Sequence, residues 1–106
     1  GEIVIVPFPF SDLSSIKQRP VLILSKDIDN ESSDDIITCG VTSNLKNAKH
    51  SVLVDNKDLE KGIFPAKSRI KIDKLFTLDK DIIRKRIAKV NESILLEVKK
   101  EFFNLV

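Results

Sequence analysis

One cysteine, one histidine, three glycines and no tryptophan leave this 106-residue chain few parts for several common chemistries. Cys39 has no partner in the chain, so no internal disulfide forms, which fits a reducing cytoplasm. It alternates with Ile37 and Val41, a pattern that points its thiol into a core rather than toward a substrate. The lone histidine, His50, excludes a two-histidine acid–base pair and reads, within "NAKHS", as a surface loop residue. No Cys/His cluster has zinc spacing. Three glycines do not build a glycine-rich phosphate loop. The acidic run 27–35 alternates Asp and Asn but lacks the glycine and closing glutamate of a calcium loop. The carboxylates do not assemble into a metal-nuclease set on identifiable elements, so no metal and no cofactor is expected. Long apolar runs are also missing: none approaches the ~18–20 residues that span a bilayer. The opening "GEIVIVPFPF" is too short for a signal peptide and lacks its basic flank. The chain opens on Gly1 rather than methionine, and a few leading residues are expected before it.

What is present is a globular composition. Apolar residues at 42% and charged residues at 32% exclude a largely disordered chain. The length suits one domain, residues 1–106, with a core that needs no staples. No repeat, low-complexity tract or linker divides it. Charge is unevenly spread: residues 26–60 carry four basic and eight acidic side chains, residues 61–89 ten basic and three acidic. A basic second half suits a polyanion or an acidic partner segment, and equally a solvated surface whose charges cluster.

Short strand patterns dominate. "IVIV" at 3–6 reads as a buried strand ended by Pro7 and Pro9. Strands follow at 20–25, 36–42, 51–55, 68–73 and 85–90, separated by polar loops at 11–18, 27–35 and 43–49. "NKDLEKG" turns at Gly62, and "LDKDIIRK" fits one helical turn. Only the tail is helical: Asn91 is a natural N-cap, Leu95, Val98, Phe102 and Leu105 form a stripe, and Leu96 and Phe103 widen it. The expected fold is mainly β, a small barrel with a C-terminal helix packed on it.

Three places could carry chemistry. In "KQRPVLILS", residues 17–25, Lys17 and Arg19 stand at the mouth of an apolar strand, and Pro20 holds Arg19 extended. A solvated loop cation is the plain alternative. Thr42 and Ser43 end a strand and begin a loop, where hydroxyls cap backbone and where barrels place sites. In "SRIKID", Ile70 and Ile72 share one face and Arg69, Lys71 and Asp73 the other. Two cations and a carboxylate there could grip a phosphate, or form an ordinary surface ion pair of little energetic weight.

Four segments in order resemble the MazF/PemK/Kid-type toxins of type II toxin–antitoxin systems: "GEIVIVPFPFSDLSS", "KQRPVLILS", "IITCGVTSN" and "SRIKIDKLFTLDKDIIRKRIAKVN". The resemblance covers nearly the whole chain, and the last segment is its most specific part. It implies an SH3-like barrel of the Kid/CcdB kind, a homodimer, and a metal-independent endoribonuclease that cuts single-stranded RNA at short sequences. It also implies a cognate antitoxin with a disordered, acidic segment. Arg19 falls at the family's catalytic arginine, Thr42 at its catalytic hydroxyl, and Asp73 at the carboxylate that Kid-like members use as base. Lys71 stands where those members carry an arginine, which keeps the charge and loses the bidentate fork. Lys17, Ser43, Asn44, Arg69, Phe10 and Ser11 would contact RNA, and the loops 9–18 and 43–50 would set the cleavage sequence. The first loop lacks the histidine of Kid-like sites. Two other readings remain: a barrel that binds antitoxin or nucleic acid without cutting, and a gyrase poison like CcdB. The ending "FFNLV" lacks the Trp-Gly-Ile that the latter resemblance would require.

Overall fold

The computed structural model describes residues 1–9, 16–26, 34–64 and 66–106. Among them, seven strands form one antiparallel sheet: β1 Glu2–Pro9, β2 Ile16–Ile23, β3 Asp35–Thr42, β4 Ser51–Val54, β5 Leu59–Gly62, β6 Ser68–Asp79 and β7 Lys85–Val90. Their order is β4-β6-β3-β2-β1-β7-β5. A helix, α1 Glu92–Leu105, follows β7 directly. The result is a half-barrel with a C-terminal helix: the short, alternating strands anticipate its β-rich plan, and the family resemblance its SH3-like form. No helix is long and apolar enough to cross a membrane among the described residues.

Prolines do not end β1. It pairs with β2 through Pro7↔Gln18 and Pro9↔Ile16. The reason lies in which edge each residue faces. Gly1 and Ile5 turn their carbonyls toward the β7 side, accepting from Val90 and Arg84. By alternation Pro7 and Pro9 face the same way. The β1–β7 ladder ends at Ile5↔Lys85, so their missing N–H groups lie beyond that pairing. Pro20 follows the same rule, because the β2–β3 ladder begins only at Val21↔Gly40. Strand β2 therefore starts at Ile16, ahead of Pro20.

Two further departures come from pairing. The segment expected only to turn at Gly62 contains a 3₁₀ turn, Asn56–Asp58, and then strand β5, which pairs with β7. Gly62 has φ +84°, and a Cβ there would lie 2.2 Å from the Ile87 carbonyl oxygen, so only glycine fits. Strand β6 continues six residues past Asp73, because β3 offers a partner as far as Asp35↔Asp79. The expected helical turn is the short 3₁₀ turn Lys80–Ile82.

The helix starts as anticipated, with Asn91 Oδ1 accepting from the Ile94 amide at 2.9 Å. Ile94 and Val98 are buried and Leu95, Phe102 and Leu105 pack against the same core. Leu96 and Phe103 do not widen that stripe. At about 100° per residue they lie roughly 160° and 140° around the helix from Val98, and both are exposed.

Apolar side chains gather in two clusters. The larger contains Ile3, Leu22, Cys39, Ile70, Ile72 and Val98, and α1 covers part of it. The smaller, Val4, Val6, Val21, Ile23 and Ile36, lies on the other face of β1–β3 and is covered by Leu78, Ile82 and Ile83.

Candidate active site

Strand register decides which polar residues share a face. In the β3–β6 ladder, Thr42 pairs with Arg69 and Gly40 with Lys71. The β2–β3 ladder runs Ile23↔Thr38, Leu22↔Cys39, Val21↔Gly40. Carried two residues further, that register sets Arg19 opposite Thr42. Arg19, Thr42 and Arg69 thus stand in one row across three neighbouring strands, and Lys71 lies one row away on the same face. Arg69 is the direct cross-strand partner of Thr42, about 5 Å away, and Arg19 lies on the same face beyond the last β2–β3 rung. This is the face of the smaller apolar cluster, since Arg19 alternates with Val21 and Ile23 along β2.

The hydroxyl is held by its own loop. Thr42 Oγ1 accepts from the Asn44 amide at 3.1 Å, and Asn44 Oδ1 accepts from the Lys46 amide at 3.1 Å. Two successive side-chain turns therefore shape the start of loop 43–50. The Thr42 oxygen is oriented, and its O–H remains a donor. Arg69 holds the same loop from below: Nε donates to the Leu45 carbonyl at 3.2 Å and Nη1 to Ser51 Oγ at 3.0 Å. Ser51 Oγ in turn donates to the Ala48 carbonyl at 2.6 Å. Expected as an RNA contact, Arg69 is placed as a brace for the loop, with its guanidinium half-buried. Ser43 and Asn44 are exposed beside Thr42, and Lys17 and Arg19 are exposed on β2. Phe10 and Ser11 lie outside the described residues.

Asp73 sits differently from its neighbours. The β3–β6 ladder jumps from Gly40↔Lys71 to Cys39↔Leu75, leaving 72–74 as a bulge. The Ile72 amide donates to the His50 carbonyl at 2.9 Å, which ties this bulge to the end of loop 43–50. Asp73 is exposed on the bulge, next to the row rather than in it. The bulge also supplies a residue that the alternation of "SRIKID" does not reveal. A Cβ on Gly40 would lie 3.6 Å from Lys74 Cβ, so Lys74 comes over the same face as Thr42 and Lys71. Only the pairing shows this, because strict alternation would send Lys74 to the opposite face.

The remaining single residues keep away from chemistry. Cys39 is fully buried, and burial pushes its thiol up to about 12. At neutral pH it is therefore no nucleophile. His50 has φ +53°, and its Nδ1 finds no hydrogen-bond partner among the described residues, with Glu101 Oε2 at 3.8 Å. No group of three metal-ligating side chains occurs among the described residues.

The fold is thus a half-barrel that gathers arginines, lysines and an oriented hydroxyl on one face of its sheet. The solved structures with this fold include MazE–MazF from Deinococcus radiodurans, at TM-score 0.80 and 23% identity over 99% of this chain and 92% of that one. A mycobacterial endoribonuclease in complex with its cognate antitoxin aligns at TM-score 0.77 and 18% identity, over 98% and 89%. The Mycobacterium tuberculosis toxin MazF-mt6 aligns at TM-score 0.74 and 18% identity, over 95% and 93%. Among curated proteins no sequence matches. The family model of the PemK-like, MazF-like toxins of type II toxin–antitoxin systems matches residues 1–105. The chain belongs to that family.

Proposed function

We propose that this toxin is a metal-independent endoribonuclease that cuts single-stranded RNA at short sequences and is neutralised by a cognate antitoxin. The observation that carries the reading is the row Arg19–Thr42–Arg69 with Lys71 beside it. It sets fixed positive charge around a hydroxyl that is already oriented. RNA brings its own nucleophile, so such a site needs no activated serine or cysteine. The 2′-oxygen attacks the adjacent phosphorus, its proton passes to Asp73, and the bond from phosphorus to the 5′-oxygen breaks. Lys71 returns a proton to that leaving oxygen. The products are a 2′,3′-cyclic phosphate and a 5′-hydroxyl. Arg19 stabilises the charge that grows on the phosphorane, and its planar fork suits two phosphate oxygens. Thr42 donates its O–H to a phosphate oxygen or to the 2′-oxygen. The active species would be a homodimer, and the antitoxin's acidic segment would compete with RNA for the same cations.

Long RNA incubated with the protein and excess chelator tests the class: cleavage is expected to persist. Once the fragments reveal the cut site, an oligonucleotide with one 2′-deoxy sugar upstream of the scissile phosphate is expected to bind and stay intact. Cleavage of that oligonucleotide would mean that water or a side chain attacks, and would overturn the mechanism.

A further inference from the structure

The face that bears Arg19 does not end at β2. Val6 pairs with Arg19, and Val4 with both Val21 and Arg86. Residues paired directly across strands share a face, so Arg86 stands on the Arg19 side. The β1–β7 register reaches Ile5↔Lys85, and one step further sets Arg84 opposite Val6. The Arg84 amide donating to the Ile5 carbonyl at 2.8 Å fixes that step. Arg84 therefore extends the row Arg69–Thr42–Arg19–Val6 on the far side from Arg69. Two strand spacings separate it from Arg19, about 10 Å. Its side chain is exposed and makes no hydrogen bond or ion pair among the described residues, whereas Arg86 is paired with Glu2. A shallow groove of about 490 Å³ opens there, lined by Lys80, Asp81, Ile83, Arg84, Lys85 and Arg86.

We infer that Arg84 is a second phosphate station, holding the substrate strand one or two nucleotides away from the scissile phosphate. This rests on the RNA-cleavage reading above. The position favours RNA over a protein segment. The station shares a face and a row with the candidate site, and the groove is lined by four cations and a single apolar side chain. An acidic peptide would find no apolar anchor in it. Phosphate contacts carry no base information, so the station would add affinity and register, not sequence choice.

The test measures Kd for a mixed-sequence single-stranded 2′-O-methyl RNA, which cannot be cut through its 2′-oxygen, at several salt concentrations. Log Kd against log salt has a slope of about 0.7 in magnitude per phosphate neutralised on a single strand. Arg84→Gln is expected to flatten the slope by about 0.7, whereas Lys85→Gln, at a residue that stands opposite Ile5 on the other face, is expected to leave it unchanged. Both side chains are exposed, so a melting curve that matches the parent's shows that the variants fold. An unchanged slope in Arg84→Gln overturns the proposal. So does an Arg84→Gln variant that loses affinity for polyglutamate while its RNA slope stays put, since the patch would then dock protein. Failure of the cleavage reading is separate: the parent protein would not cut RNA at all, whatever the slopes.

Discussion

The two apolar clusters of this sheet are covered in different ways, and the difference locates the site. The larger cluster draws on strands from across the sheet and on α1, so its members are enclosed by many elements. Among the described residues, the smaller is covered by one stretch of chain, the end of β6 and the 3₁₀ turn after it, through Leu78, Ile82 and Ile83. On the same face, Arg19 and Arg84 are exposed and Thr42 and Lys71 half-buried. One face of the sheet thus serves twice, as a small core in its middle and as a cationic margin around it. Buried valines fix the strands from which the cations project, and strands hold side chains more exactly than loops do.

Removing a cation from the margin should break the comparison most sharply. Arg19→Ala is expected to lower RNA cleavage roughly 10²–10³-fold while the melting temperature holds, because one preorganised electrostatic contact contributes that much. Near-normal cutting would return Arg19 to the role of a solvated cation. Core substitutions should behave in the opposite way. Leu22→Ala empties the larger cluster and is expected to cost about 2–5 kcal/mol in urea unfolding, with cleavage per folded molecule retained. Ile82→Ala should cost less stability, since Ile82 is only half-buried, yet lower cleavage per folded molecule by loosening the cover beside Arg19. If Leu22→Ala depressed cleavage per folded molecule more than Ile82→Ala, the two clusters would not be functionally distinct.

A smaller effect separates the brace from the contacts. Arg69→Gln removes both the charge and the fork that holds the Leu45 carbonyl and Ser51. The expected cost is about 1 kcal/mol of stability, with faster amide exchange in loop 43–50 and a salt slope for RNA that does not change. A flatter slope would make Arg69 an RNA ligand instead. A last effect appears only in alkali. Burial raises the Cys39 thiol from 9.0 to about 12, so between those values the unfolded chain has lost a proton that the folded chain keeps. Stability is then full below pH 9 and falls as pH rises, by about 1.4 kcal/mol over the first unit above it. Comparing Cys39→Ala with the parent in denaturant melts at pH 8 and pH 10 isolates this loss. Equal pH dependence in both proteins would mean that the thiol is not sequestered.

Much of this was legible along the chain. Alternation at 36–42 and 68–73 marks strands whose one face is buried, and the burial of Cys39, Ile70 and Ile72 follows from it. Asn91 caps the helix because a side-chain amide oxygen there reaches the Ile94 amide, a purely local event. The resemblance of four segments to the toxin family is also a property of order along the chain, and the family match bears it out. Residue type alone marks Arg19 as a cation held extended by Pro20.

What lies between distant segments had to be decided in three dimensions. Pro7 reads as a strand end until pairing shows that its nitrogen faces the side where the β7 ladder has already stopped. Strand β5 carries a weak pattern of its own and exists because β7 offers an edge to pair with. Lys74 joins the site through a bulge whose three residues have no partner on β3, and no periodicity foretells a break in periodicity. Arg69 reads as a ligand until its fork is found holding a loop. The sequence by itself determined the strands, the helix cap and the chemical parts, because propensity, alternation and capping act over a few residues. The tertiary structure alone decided that Arg19, Thr42, Lys71 and Arg84 share one face, because strand register is set by side chains packing across the sheet.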